Sequence, residues 1–293
     1  MLTIYEQQLG ADHPSVSTAL NNLAEIYHSL GQYEKAEPHY QKALAICEQQ
    51  LGSDHPLTAT SFNNLAELYH SMGRYEEAEP LYQKTLSIHE ERLGTHHPDT
   101  AGSLNNLAEL YRTIGRYEEA EPLYERSLNI CEEQIGSDHP TTATSLNNLA
   151  ELYRDTERHE EAEPLYERSL AICEQHLSPD HPLTAASFNN LAELYHSMNR
   201  YEEAEPYYQK ALAICEQQLG SDHPDTATTL NNLAVLYRMM GRYDEAVPLY
   251  QRSLSIREQT LGPDHPSTQT TLKNLAVLYL AMGLFKDENV YLE

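Results

Sequence analysis

The sequence is poor in basic residues, contains no tryptophan and has only three phenylalanines. Its 19 Lys and Arg stand against 45 Asp and Glu, which gives a formal net charge of −26. Nucleic acids and anionic membranes attract basic surfaces, so this balance predicts that the chain binds neither. The longest nearly apolar run, residues 275–285, is shorter than the ~20 residues of a membrane-spanning helix.

Two further absences concern targeting and the core. The first residues lack a basic segment followed by an apolar one, so no secretory signal is visible and we expect a cytoplasmic protein. Leu, Ile, Val and Phe make up about a fifth of the chain, which is low for a charged globular protein. Composition alone therefore does not establish a fold.

A repeat of 42 residues organises the whole sequence. Glycine recurs at this spacing or twice it, and Ser178 occupies the one position where glycine is missing. The recurring glycines are Gly10, Gly52, Gly94, Gly136, Gly220 and Gly262. We divide the chain into a single array of repeats, preceded by part of a helix in residues 1–10. The repeats span residues 11–52, 53–94, 95–136, 137–178, 179–220 and 221–262, with a partial repeat in 263–293.

Each repeat predicts two antiparallel helices. In the third repeat, Leu104, Leu107 and Tyr111 follow the spacing of a first helix over residues 98–114. The equivalent first helices lie near 14–30, 56–72, 140–156, 182–198, 224–240 and 266–282. The histidine before each opening proline is in the position of a helix cap.

A second helix covers residues 117–135 of the third repeat and ends before glycine, as a left-handed cap would require. Pro122 and its equivalents are expected in the first turn, where a missing N–H removes no helical hydrogen bond. The carboxylates of the Glu-Glu-Ala-Glu segments carry most of the net charge and are expected on a solvated face. Repeated helix pairs predict an all-α fold, an α–α superhelix or solenoid, in which each pair packs on its neighbours.

The repeat resembles a known family. Asn105-Asn106-Leu107-Ala108-Glu109-Leu110-Tyr111 and Gly115-Arg116-Tyr117-Glu118-Glu119-Ala120-Glu121-Pro122-Leu123-Tyr124 are similar to the 42-residue tetratricopeptide repeat (TPR) of kinesin light chains and their bacterial relatives. The likeness covers essentially the whole chain. The main departures are Glu157 and Asn199 for glycine, His159 for tyrosine, Lys273 for asparagine, and Glu288 and Val290 for alanine and proline.

Catalytic and metal chemistry find no support in the residue spacing. The four cysteines occupy one repeat position without Cys-x-x-Cys or Cys/His metal spacing, so we interpret them as small buried residues. No nucleophile recurs beside the Asp-His pairs, and phosphate-loop and His-Glu-x-x-His motifs are absent. We expect no catalytic residue, no metal and no cofactor. The cysteines are Cys47, Cys131, Cys173 and Cys215.

The resemblance implies that the first helices line a concave groove that holds a protein or linear peptide. At 100° per residue, the side opposite Leu107 and Tyr111 carries asparagine pairs, whose amides can bond an extended backbone. An alternative is that one amide of each pair braces neighbouring helices. The candidate groove residues are Asn63, Asn64, Asn105, Asn106, Arg112, Asn147, Asn148, Arg154, Asn189, Asn190, His196, Asn231, Asn232, Arg238 and Lys273.

Toward the C-terminus this column becomes apolar, through Val235, Met239, Val277 and Leu280. We interpret these residues as a possible anchor for a ligand side chain; contact with a continuation of the array is the alternative. The leading function is a non-catalytic peptide- or protein-binding scaffold. Both ends stop within a repeat, which favours a fragment but also fits end-to-end self-association. A third interpretation is the sensor array of a larger signalling protein.

Overall fold

The computed structural model describes residues 10–283, and these form thirteen α-helices and no strand. Consecutive helices pack against each other within residues 14–134 and within residues 159–281, which confirms the all-α solenoid of helix pairs. The first helices of the repeats have odd numbers and the second helices even numbers. The helices are α1 Pro14–Ser29, α2 Tyr33–Leu51, α3 Pro56–Ser71, α4 Tyr75–Arg92, α5 Pro98–Thr113, α6 Tyr117–Gln134, α7 Pro140–Asp155, α8 His159–His176, α9 Pro182–Ser197, α10 Tyr201–Gln218, α11 Pro224–Met239, α12 Tyr243–Thr260 and α13 Pro266–Ala281.

The chain divides into two compact blocks, Met1–Leu152 and Tyr153–Glu293, called the N-terminal and C-terminal blocks. The predicted partial helices at residues 1–9 and 285–293, with Glu288 and Val290, lie outside the described residues.

The first helices begin as predicted, because a histidine side chain caps them. Nδ1 of His97 accepts a hydrogen bond of 3.1 Å from the backbone N–H of Asp99. His97 has extended backbone geometry, and Pro98 follows as the first helical residue. The cap satisfies one of the N–H groups that lack an intrahelical partner. The same bond is made by His13, His55, His139, His181, His223 and His265.

The second helices begin without a side-chain cap, and the predicted place of their prolines is wrong. Helix α6 begins at Tyr117, so Pro122 is its sixth residue and lies in the second turn. One helical hydrogen bond, to the carbonyl of Glu118, is therefore lost. The predicted left-handed glycine cap at the end of the second helix is confirmed. Gly136 has a φ of 122°, and its N–H donates to the Cys131 carbonyl.

The turn between the two helices of a repeat requires a left-handed residue. Gly115 there has a φ of 77°. Glu157 and Asn199, two of the departures from the repeat pattern, adopt the same conformation, with φ values of 60° and 59°. Left-handed geometry is costly for residues with a Cβ and is tolerated best by asparagine. Glu157 therefore holds a strained turn.

The core of each repeat consists of small residues between large ones. Ala120 and Tyr124 of α6 are fully buried, as are Leu104 and Ala108 of α5. Leu104 packs in one cluster with Ile130 of α6. An alanine at this position lets the paired helices approach closely. The cysteines are buried and unpaired, as predicted, and the Cys131 sulfur lies 3.4 Å from the Ser145 hydroxyl of the next first helix.

In the second to sixth repeats an arginine occupies the turn between the two helices, whereas the first repeat has Gln32 there. In the N-terminal block, the Arg116 guanidinium lies 4.1 Å from the centroid of the Tyr111 ring and 2.5 Å from Glu119. It also reaches Glu79 of the preceding repeat at 2.9 Å. Arg74 makes the same set of contacts.

The C-terminal block repeats this arrangement at Arg200 and Arg242, each over a tyrosine ring and paired with two glutamates. The expectation that the Glu-Glu-Ala-Glu carboxylates merely face solvent is therefore wrong in part. In the segments 76–79, 160–163 and 202–205, two of the three acids form ion pairs with turn arginines. Exposed ion pairs of this kind add little stability individually. The pairs with the preceding repeat link neighbouring repeats to each other.

Candidate functional site

One face of each first helix remains available after the helices pack. In α5, Leu107 and Tyr111 are buried, whereas Asn105, Asn106 and Arg112 are only partly buried. The equivalent face recurs on the other first helices of each block. We call it the groove face, defined by the asparagine pairs and by the positions three and six residues after the second asparagine.

The first asparagine of a pair points toward the next first helix. Nδ2 of Asn105 donates to the Ser145 hydroxyl at 3.3 Å, and Asn189 donates to Thr229 at 2.8 Å. The Thr229 hydroxyl donates to the Asp225 carbonyl, so the amide nitrogen must face it. The Oδ1 atoms of Asn105 and Asn189 are buried without a partner. These amides brace helices, as the alternative interpretation proposed for one asparagine of each pair.

The second asparagine lies nearer the surface of the groove face. Asn106 donates to Oδ1 of Asn63 at 2.8 Å, which links consecutive first helices. In the C-terminal block, Asn232 donates to Glu193 at 2.8 Å. Asn64, Asn148 and Asn190 occupy the same position and are partly exposed. A peptide would reach this second row before the first one.

Two groove arginines already hold carboxylates. Arg112 lies 2.7 Å from Glu109 and 3.1 Å from Glu151. Burial opposes its charge, but the hydrogen bond and charge of Glu109 outweigh burial and raise the Arg112 pKa. In the C-terminal block, Arg154 lies 2.6 Å from Glu193 and 3.2 Å from Asp155. These arginines are neutralised within the protein.

Arg238 and Lys273 differ from them. Within residues 10–283 neither forms an ion pair, and the Nε atom of Arg238 is buried without a hydrogen-bond partner. His196 has a buried Nε2 without a partner, and its pKa is lowered by burial and then by the charge of Arg238. All three residues were predicted for the groove, but the missing carboxylate at Arg238 becomes visible only from the contacts of the equivalent Arg112.

The residues of the proposed apolar anchor lie on α11, which also carries Arg238, and on the next first helix, α13. Met239, Val277 and Leu280 are 47%, 48% and 59% exposed. Val235 lines a cavity of about 390 Å³ together with Arg154, Glu193, His196, Tyr208 and Asn232. Asn231 is buried and accepts a hydrogen bond from Asn274. The C-terminal block therefore combines unpaired cations with exposed apolar side chains.

The described residues contain no group of three or more His, Cys, Asp or Glu that could hold a metal ion. In the same part of the chain, none of the helices has the length and hydropathy needed to span a bilayer.

Repeated antiparallel helix pairs with an unpacked face on every first helix define an α-helical repeat protein. The tetratricopeptide repeat model matches the sequence in overlapping segments, and the chain belongs to this family. The matched segments are residues 2–49, 15–91, 61–133, 99–175, 141–217, 183–259 and 225–293. No curated protein matches the chain.

Solved structures place its repeats with those of kinesin light chains. The crystal structure of the Podosopora anserina putative kinesin light chain with nearly identical TPR-like repeats is 30% identical, with a TM-score of 0.58. The match covers 70% of this chain and 98% of that one. BtubC (BKLC) from P. vanneervenii is 26% identical, with a TM-score of 0.60, over 85% of this chain and 94% of that one.

A Rap protein complexed with Competence and Sporulation Factor shares the fold alone, at 16% identity and a TM-score of 0.60. That match covers 92% of this chain and 89% of the Rap chain.

Proposed function

We propose that this chain is a non-catalytic cytoplasmic scaffold that binds a protein or linear peptide along the groove face. The supporting observation is the position of its exposed apolar residues. Of the nine large hydrophobic residues that are exposed within the described part of the chain, eight lie on or directly beside first helices. Val277 and Leu280 lie on the groove face itself, and Met239 directly follows a groove position on the preceding first helix; exposed apolar side chains on neighbouring helices are typical of an interaction surface.

The charge of the groove face supports a peptide rather than a nucleic acid. In the N-terminal block, Arg112 is the only cation among four groove glutamates, which are Glu25, Glu67, Glu109 and Glu151. In the C-terminal block, Arg154, Arg238 and Lys273 stand against Asp155 and Glu193. A peptide backbone needs amide donors and acceptors, which the second asparagines supply in both blocks.

Four free, buried thiols fit the reducing cytoplasm. End-to-end self-association and a sensor role stay predictions, because the chain ends lie outside the described residues and likeness to signalling proteins concerns the fold alone.

The experiment is selection of random linear peptides displayed on phage against the full chain, followed by affinity measurements on variants. Asn64→Ala, Asn106→Ala and Asn232→Ala together remove second-row amides. We expect at least about tenfold weaker binding, the effect of losing one or two hydrogen bonds. The matched control is Glu76→Ala, Glu118→Ala and Glu202→Ala, which changes three exposed positions on second helices.

Both variants must keep the circular dichroism and melting temperature of the parent to within a few degrees. Equal affinity of the two variants would show that the groove amides do not bind the peptide. Failure to select any peptide would contradict the proposed function.

A further inference from the structure

In the N-terminal block one glutamate accepts hydrogen bonds from two side chains of its own repeat. The Tyr124 hydroxyl of α6 donates to Oε2 of Glu109 at 2.7 Å, and Arg112 donates to both carboxylate oxygens of Glu109 at 3.0 and 2.7 Å. Tyr40 makes the same 2.7 Å bond to Glu25. A glutamate that accepts a hydrogen bond from this tyrosine therefore recurs in the repeats.

In the repeat 221–262 this glutamate is replaced by Val235. The tyrosine and arginine remain, as Tyr250 and Arg238, and within the described residues the Tyr250 hydroxyl and Arg238 Nε are buried without partners. The second acid that Arg112 contacts, Glu151, is replaced by Val277 at the equivalent position. Two substitutions thus remove both carboxylates from this arginine.

A third polar atom has lost its partner at the same place. His28 and His70 hydrogen-bond to the hydroxyls of Ser71 and Thr113 on the next first helix. His196 has Met239 in that position, and its buried Nε2 is unpartnered among the described residues.

By repeat position, Arg238 and Tyr250 correspond to Arg112 and Tyr124, which meet at Glu109. His196 and Val235 line the same cavity. Burial raises the pKa of Tyr250 and interaction with Arg238 lowers it in part, while burial and then the charge of Arg238 lower the pKa of His196.

The other charged groups nearby are already paired. Glu193 and Asp155 are held by Arg154, and Glu193 also accepts from Asn232. These carboxylates do not neutralise Arg238. Buried unpaired polar groups are costly, so the three atoms favour a bound acceptor that carries a negative charge.

We propose that this position binds the carboxylate of a peptide in place of the missing glutamate, with an adjoining apolar side chain against Met239, Val277 and Leu280. The proposal rests on the proposed peptide-binding function and names the chemistry of its partner. An Asp or Glu side chain and a free C-terminus offer the same carboxylate. Arg238 and Tyr250 would bind the two oxygens as Arg112 and Tyr124 bind Glu109.

The decisive variant is Val235→Glu in the full chain, which restores the internal carboxylate. We expect it to keep the fold and to lose carboxylate binding, because its own side chain then occupies Arg238 and Tyr250. Ala213→Glu is the matched control: it adds the same charge at an exposed position of α10, a second helix of the same block.

The first readout does not depend on a peptide. Isovalerate carries an apolar chain and a carboxylate, and isovaleramide is its neutral counterpart. In an NMR titration at neutral pH and low salt, we expect isovalerate to shift the His196 imidazole resonances of the parent and of Ala213→Glu. Isovaleramide should leave them unchanged, and neither compound should shift them in Val235→Glu.

Equal responses to acid and amide, or an unchanged response of Val235→Glu, would overturn the carboxylate site. The second readout uses the selected peptides, for which Val235→Glu should weaken binding by about tenfold or more. Changing Asp or Glu to its amide, or amidating the C-terminus, identifies which carboxylate is bound. Peptides that bind Val235→Glu as tightly as the parent would leave the proposed function standing and remove this inference. If isovalerate binds as expected but no peptide can be selected, the carboxylate site stands and the proposed peptide-binding function is contradicted.

Discussion

The hydroxyl of Tyr124 donates a 2.7 Å hydrogen bond to Glu109, whereas Tyr250, in the same position three repeats later, has Val235 in place of that glutamate. Both tyrosine rings are fully buried. The hydroxyl of Tyr124 therefore has a hydrogen-bond partner, whereas the hydroxyl of Tyr250 has none among the described residues.

Replacing each tyrosine by phenylalanine measures that difference. Tyr124→Phe removes a hydrogen bond to a charged acceptor and should lower the free energy of unfolding by about 1–2 kcal/mol. Tyr250→Phe removes a hydroxyl without a partner and should leave stability unchanged or slightly higher. Urea denaturation of both variants is the measurement; equal losses would mean that Tyr250 has an acceptor.

Glu157 should be replaceable with a gain in stability. It holds a left-handed turn in which Gly115 and most of its equivalents are glycine. Glu157→Gly should raise the free energy of unfolding by about 1 kcal/mol, because glycine adopts this conformation without a steric cost. Asn199→Gly is the control and should gain less, since asparagine tolerates this geometry. Urea denaturation that shows no gain for Glu157→Gly would exclude strain at this turn.

The turn arginines predict a pH-dependent contribution to stability. The hydrogen bond and charge of Arg242 lower the pKa of Glu245 below its ordinary value of 4.5. A carboxylate with a lowered pKa stabilises the fold above the unfolded value, and this contribution disappears as pH falls through the folded one. Arg242→Gln should therefore lower the melting temperature at pH 7, and the gap from the parent should close below about pH 4.5.

Arg92→Gln is the control for this comparison. Arg92 donates to the backbone carbonyl of Asp54 rather than to a carboxylate. Its effect on the melting temperature should not follow the same acid dependence. A constant gap for Arg242→Gln across the acid range would contradict the ion-pair assignment.

Replacing a capping histidine should destabilise the fold more than replacing the histidine next to it. His97 accepts the backbone N–H of Asp99, whereas His96 is a mostly exposed neighbour whose side chain lies 3.4 Å from Glu133. His97→Ala should reduce the free energy of unfolding by about 1 kcal/mol, as loss of a helix cap does. His96→Ala should change it by less than about 0.5 kcal/mol. Thermal denaturation of both variants distinguishes a capping role from a general effect of the loop.

The cysteines should resist modification in the native state. Burial raises the pKa of Cys173 and Cys215, and both side chains are almost completely buried. Because the thiolate is the reactive form, thiol-specific labelling at neutral pH should be slow in the folded chain and fast in urea. Rapid labelling of the native chain, located by peptide mass spectrometry, would reveal local opening of the second helices.

The periodic features of this fold could be predicted from the sequence. The first helices lie within one residue of their predicted ends, and the histidine caps follow from Asp-His-Pro and the geometry before proline. These features depend on residues close together in the chain. The buried faces of α5 follow from helical spacing in the same way.

Contacts between distant residues were beyond sequence reasoning. The Arg116 pairing with Glu79 spans 37 residues, and no periodicity rule says which glutamate of a cluster faces that arginine. Nor could the spacing distinguish the inward amide of Asn105 from the outer amide of Asn106. The change from glutamate to Val235 was visible as an apolar substitution, but its importance depends on knowing that Tyr124 and Glu109 touch.

The contacts between repeats also bear on how such a gene can change length. Arginine meets the acid 37 residues earlier, and asparagine meets the hydroxyl 40 residues later, as at Arg74 with Glu37 and Asn21 with Ser61. Excision or duplication of 42 residues keeps the 37- and 40-residue spacing of these contacts. Recombination between similar repeats can therefore alter the copy number in whole steps while the new junction keeps its ion pairs and amide bridges.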